Sequence, residues 1–423
     1  MNWSYKIRGG ALQFVLFIGA IIAILLMAFV LISYSHSFFH KKTDLTISLV
    51  QEADLGLRYS FNDPLVTDVS LDFKALNNTN ISINIKKDFW GILEKRASTA
   101  THNKTVFKKT ALVGNSYPDG VNALYLTDRQ RPIILAGKAR ITGDASLPVQ
   151  GARMGNIRGN SYFRKQLIYG RITTSGSELP KPSREVISQL DNMFKDNPFA
   201  KEQVVALKPN MEITNSFYEP TLVVQDRIVH LRDNRLIGNI VIKASQKIIV
   251  ESSTALRDVL LIAPEIIIKD KVIGSFQAIS SGKIKVGANC NLLYPSVLLV
   301  EAKSNQNIQQ QSGMQASIAI GKNTSLKGMV IYMDDQKEQS RLPHIRIAEM
   351  ATVLGQVYCM DNLELKGTVI GNVTTDGFIA IENGGIYQNH LYNGIINSMD
   401  LTDNYAGLLM EGEQHKKIMK WLY

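Results

Sequence analysis

Residues 247–300 read KIIVESSTALRDVLLIAP, EIIIKDKVIGSFQAISSG and KIKVGANCNLLYPSVLLV when cut at Lys247, Glu265 and Lys283. Each block opens on a charged residue followed by alternating aliphatics. Further blocks start at Ser317, His344, Asn362 and Ala380. Their second positions are Ile248, Ile266, Ile284, Ile318, Ile345, Leu363 and Ile381. Their fourth positions are Val250, Ile268, Val286, Ile320, Ile347 and Leu365, with Asn383 breaking the column. A third column, eight positions after the first, runs Leu256, Gly274, Leu292, Leu326, Val353 and Gly371. Recurrence of small or apolar residues in three columns marks a repeat of about 18 residues.

Alternation within each block marks short strands, whose side chains point to opposite faces in turn. Gly, Asn, Asp and Ser between the strands supply corners. A period of about 18 residues divides into three strands, so one turn is triangular and neighbouring turns bury each other's inner faces. The expected fold is mainly β: a single N-terminal transmembrane α-helix, then a triangular β-solenoid with inserted loops and a helix. Two polar stretches, 301–316 and 335–343, interrupt the period after the last strand of a block, where corners tolerate insertion. The segment Arg131–Pro148 (RPIILAGKARITGDASLP) resembles the later blocks and reads as an early coil or a cap. Ser183–Asp196 (SREVISQLDNMFKD) places Val186, Ile187, Leu190 and Met193 at helical spacing after Pro182, so an amphipathic helix is expected there. The expected divisions are 1–10, a basic leader or cytoplasmic tail; 11–33, the membrane helix; and 34–130, a stalk and mixed region. They continue as 131–228, the early coil or cap with its helical insertion; 229–400, the solenoid; and 401–423, a capping or docking tail.

The formal charge of +10 is concentrated. Between Lys86 and Arg171 sixteen Lys and Arg stand against five Asp and Glu, a net of +11. A surface built from Lys86, Lys87, Lys95, Arg96, Lys108, Lys109, Arg158, Arg164 and Lys165 would suit an anionic envelope polymer. No nucleic-acid motif accompanies it, and nucleic acid is not an expected partner. The two cysteines, Cys290 and Cys359, show no zinc spacing. Counted by period they fall on different walls, with Cys359 in an inward column with Ile262, Leu298 and Tyr332, so no disulfide is expected.

From Leu12 to Ser33 the chain carries no charged residue. At ~1.5 Å per residue such a helix is about 33 Å long and crosses a ~30 Å hydrocarbon core. Lys6 and Arg8 before it and Lys41 and Lys42 after it leave orientation undecided by charge. The sequence KIRGGALQFVLFIGAIIAILLMAFVLISYSHSFF (Lys6–Phe39) resembles the start of type IV pilin-like proteins. The resemblance implies cleavage of a basic leader after Gly10, leaving Ala11 as the first mature residue. It also implies packing of the apolar helix into a filament core. The glutamate usual at mature position five is replaced by Val15, as in certain minor pseudopilins. An uncleaved signal anchor fits the same residues. The aliphatic repeat is similar to the bactofilin class of polymer-forming scaffolds.

The chain has no GxSxG elbow, HExxH, P-loop or dinucleotide fingerprint. The outward acids Glu251, Asp258, Asp270 and Glu349 fall in no single column, and Asp334–Asp335 reads as a turn. No catalytic residue, metal or cofactor is therefore expected. The expected function is non-enzymatic: a minor pilin-like or envelope and secretion-assembly component, anchored by one helix in a bacterial inner membrane with its bulk in the periplasm. Its expected partners are the membrane, and filament or envelope subunits met through the helix and the solenoid ends. Two alternatives are a membrane-anchored glycan-binding or glycan-active β-helix protein and a bactofilin-like cytoskeletal scaffold.

Overall fold

The aliphatic columns of the repeat become neighbours across parallel strands. The second-position column runs Val229, Ile248, Ile266, Ile284, Ile318, Ile345 and Leu363, each paired in register with the next. Beside it runs Leu231, Val250, Ile268, Val286, Ile320, Ile347 and Leu365. These side chains are buried in one continuous apolar cluster. The computed structural model describes residues 9–62, 70–75, 80–117, 120–195, 198–200, 202–302, 316–334, 341–412 and 415–423. Most of both polar insertions, and Asp335, lie outside the described residues.

The last block departs from its expected register. Leu363 pairs with Phe378, and Ile381 faces Ile386 across an antiparallel hairpin. The turn residues Asn383 and Gly384 both have positive φ, the conformation that a tight hairpin requires. The third column continues from Val353 to Val369 rather than to Gly371. Its cause is a shortened corner: strand Ile345–Ile347 is separated from the next pairing by residues 348–351, whereas after Leu365 only Lys366 and Gly367 intervene. A Cβ on Gly367 would lie 2.3 Å from the Ala351 carbonyl oxygen, which admits only glycine at so tight a turn.

Register shifts in the long strands also correct the cysteine column. Cys359 sits between Tyr332 and Thr375, while Ile262 pairs with Ile279, and Leu298 with Ala278 and Val330. Both cysteines are free and buried. Burial pushes the Cys359 thiol up to about 12, so it is protonated and unreactive at neutral pH.

The chain folds as two compact units, the first comprising 1–60, 70–85 and 98–109, the second 61–69, 86–97 and 110–423. In the first, helix α1 (Gly9–Tyr59) continues well beyond its apolar half. Leu49, Ala53 and Leu57, spaced four apart on one face, are buried, as are Ile81, Ile83, Ile85 and Ala100 of the neighbouring chain. A Cβ on Gly56 would lie 2.8 Å from Ile83, so the helix backbone rests directly on that strand. Lys109 and Arg58 both pair with Asp54, at 2.6 and 2.9 Å.

In the second unit the order of the parallel strands differs from their order in the chain. Among the described residues, the strands of residues 203–215 pair onward, to 222–238. At the far end, Val373 pairs with Leu124, Ile396 with Ile141 and Leu391 with Leu135. The segment Arg131–Pro148 therefore lies beyond the C-terminal strands. Strands Ala152–Met154, Ile168–Tyr169 and Ile172–Thr174 pair onto it in turn. Helix α2 (Arg184–Met193) follows these strands in the chain.

Helix α2 buries Val186, Leu190 and Met193. They join a second apolar cluster with Val241, Leu260, Leu299 and Ile331 on the outer side of the parallel strands. The Ser183 hydroxyl caps the helix, accepting from the Val186 N–H at 3.4 Å. Ser183→Ala is expected to lower stability by about 1 kcal/mol, read from urea unfolding. The same outer side carries Trp90 and Ile92 of a tight hairpin, and Ala406, Leu408 and Leu409 of the C-terminal segment. Within the C-terminal tail, His415–Leu422 is a strand, antiparallel to residues 110–116.

Candidate membrane anchor and charged sites

Helix α1 has two chemically different halves. From Leu12 to Phe39 its large apolar side chains are exposed in every direction; Phe14 and Phe29, for example, are 63% and 70% exposed. Leaving a Leu, Ile or Phe in water costs about 1.5–3 kcal/mol relative to burying it. Such a surface must therefore be covered by lipid or by other apolar helices. The helix is long and apolar enough to cross a membrane. Gly10 and Ala11 lie in its first turn.

The nine basic residues expected to form one surface occupy different environments. In the first unit, Lys108 is exposed and Lys109 is engaged with Asp54. In the second, Lys86, Arg158 and Lys165 are exposed. Lys95 pairs with Asp88 at 3.0 Å, Arg158 donates to the Asn383 carbonyl at 3.1 Å, and Arg164 stacks over Phe163.

Lys87 and Arg96 are not surface residues; both are buried. Arg96 donates to Glu94 at 2.5 Å, Lys416 to the same carboxylate at 2.9 Å, and Lys87 stands 3.8 Å from it. Lys87 also meets Glu185 of α2 at 2.5 Å, and Arg96 lies over the Phe61 ring. Burial alone would push the Glu94 carboxyl up. Arg96, Lys416 and Lys87 together outweigh that effect and hold it below its ordinary value. Lys416 is pushed down, first by burial and then by Arg96 and Lys87, against the pull of Glu94. This cluster joins the hairpin, α2 and the C-terminal strand by charge.

The outward acids serve the fold. Glu251 meets His230 at 2.9 Å and Glu349 meets Lys322 at 3.2 Å. Asp258 accepts from Lys420 at 2.5 Å, and Asp270 accepts the Ala288 N–H at 2.8 Å. Asp334 accepts from the Tyr332 hydroxyl at 2.9 Å. Among the described residues no group of three or more His, Cys, Asp or Glu side chains is placed to hold a metal ion.

No family model and no curated protein matches the chain. Among solved structures, the competence-associated pilin ComZ from Thermus thermophilus is similar at 9% identity over 90% of this chain and 96% of that one. The TM-score of 0.18 is too low to establish a common fold, and no assignment follows from it.

Proposed function

We propose that the chain is a membrane-anchored, non-enzymatic subunit of a bacterial envelope assembly of the type IV filament or secretion class. Its apolar helix packs among other membrane helices, and the rest of the chain stands in the periplasm. The parallel strands are read as a triangular β-solenoid, supported by register steps that join each aliphatic column to the next. One observation carries the functional reading. A single helix is exposed and uncharged over residues 12–39, yet builds Leu49, Ala53 and Leu57 into a folded unit. A cleaved signal sequence has no reason to continue into a core, whereas a subunit anchor does.

Mass spectrometry of the mature protein tests the pilin-like part. The expected N-terminus is Ala11; an intact Met1 would remove the leader and leave a plain signal anchor. An alkaline phosphatase fusion after Tyr423 tests orientation, with activity expected. An inactive fusion would instead place the strands in the cytoplasm and favour the scaffold reading.

A further inference from the structure

Between the strands Leu124–Leu126 and Ile133–Ala136 the chain turns sharply at Gln130. Gln130 holds φ +55, a left-handed conformation that residues other than glycine seldom adopt, and its N–H is held by the Asp128 carboxylate at 2.7 Å. Arg129 and Arg131, on either side, line one cleft of about 370 Å³ together with Arg341. Asn362, Asp376, Gln388 and Asn389 line it from the C-terminal part of the chain. The stacking of an N-terminal strand on the C-terminal ones is what brings these segments together.

The chemistry of this lining is one-sided. Among the described residues it contains no apolar and no aromatic side chain. Asp376, itself buried, accepts from Arg129 Nε and Nη2 at 3.0 and 2.6 Å. Arg131 and Arg341 have no hydrogen-bond or ion-pair partner among the described residues. Three guanidiniums against one carboxylate leave the lining at +2. Planar guanidinium forks bind carboxylate and phosphate groups bidentately. Without a stacking platform a single-stranded nucleic acid is a poor fit, and without an apolar wall so is a lipid tail. The amides of Gln388 and Asn389 offer both donors and acceptors, which suits hydroxyl groups, while the Asn362 amide already donates to Asp361 at 2.8 Å.

We propose that this cleft binds an acidic saccharide. Arg131 and Arg341 hold its carboxylate or phosphate, the Gln388 and Asn389 amides meet its hydroxyls, and Asp376 fixes Arg129 beside them. The inference is independent of the membrane-anchor reading, because every residue involved lies in the second unit.

The test is a calorimetric titration of the full chain in detergent with trigalacturonate and, separately, a phosphorylated trisaccharide; maltotriose and a short oligothymidylate serve as comparisons. At least one acidic trisaccharide is expected to bind, with maltotriose at least tenfold weaker, and binding is expected to weaken as salt rises. Whichever acidic sugar binds identifies the anionic group. Arg131→Gln with Arg341→Gln is expected to lose at least tenfold in affinity. Both side chains are exposed, so the unfolding midpoint should not move. Arg131→Lys, which keeps the charge and loses the fork, should lose several-fold. The proposal is overturned if neither acidic sugar binds, if the arginine variants bind unchanged, or if oligothymidylate binds more tightly than both sugars.

Discussion

Glu94→Gln is expected to destabilise the protein by about 3–5 kcal/mol, the cost of removing one partner from a buried ion-pair cluster. The substitution keeps the shape of the side chain and removes the carboxylate shared by Lys87, Arg96 and Lys416. Glu185 remains paired with Lys87 at 2.5 Å. Urea unfolding of the full chain in detergent, followed through Trp90 on the same hairpin, measures the loss. Glu94→Gln combined with Lys416→Met should recover part of it by removing one cation, and a loss below about 1 kcal/mol would mean that water already compensates the cluster. The pH dependence gives a second readout. The folded pKa of Glu94 lies below the ordinary value of 4.5, so its contribution is fully present above 4.5. It is lost as pH falls through the folded value. The gap between wild type and variant should therefore be widest near neutral pH and close on acidification.

Gly355→Ala is expected to cost at least about 3 kcal/mol, combining backbone strain with a collision. Gly328, Gly355 and Gly371 are paired neighbours in successive strands. Gly355 has φ +138, and a Cβ there would lie 2.1 Å from the Gly328 carbonyl oxygen and 2.7 Å from the Tyr405 ring. Neither neighbour can retreat easily: the carbonyl is backbone, and the Tyr405 hydroxyl donates to that same oxygen at 3.2 Å. Gly151→Ala separates the two causes. Gly151 also has positive φ, +65, but nothing stands within 4 Å of its Cβ position. It should cost only about 1 kcal/mol. Equal losses for the two variants in the same unfolding assay would show that strain, not the collision, governs the column.

The two glycine environments show what periodicity could and could not read. Gly371 stood in an apolar column because its spacing from Val353 matched the period. The two-residue corner at Lys366 and Gly367 moved Val369 into that place and put Gly371 beside Gly355. The signal for this was present: Asn383–Gly384 marks a hairpin, and a hairpin after Ile381 could not continue the parallel column. A similar signal bore on the basic residues. In the strand Ser82–Trp90 the buried positions are Ile83, Ile85, Lys87, Phe89 and the terminal Trp90, and the alternation up to Phe89 places Lys87 on the apolar face. Arg96 follows Glu94 by two and shares its face. Runs such as VLLIA (259–263) and MVIYM (329–333) carried one more clue. Unbroken apolar sequence marks a strand buried on both sides, and the outer side of these is covered by α2, the hairpin and the tail.

By itself, the sequence determined the membrane-length helix, the inward columns from Ile248 to Leu365 and the amphipathic helix after Pro182. Each rests on a local rule: uninterrupted apolar length, period two, or period 3.6 after a proline. The tertiary structure alone decided that residues 124–174 stack beyond residues 368–397, that Lys87 and Arg96 are internal, and that Arg129, Arg131 and Arg341 share a cleft. The reason is physical. Parallel pairing is made by backbone groups common to every strand, and an apolar inner face accepts any neighbour of similar shape. A local pattern can therefore say which side chains point inward without saying which strand lies above.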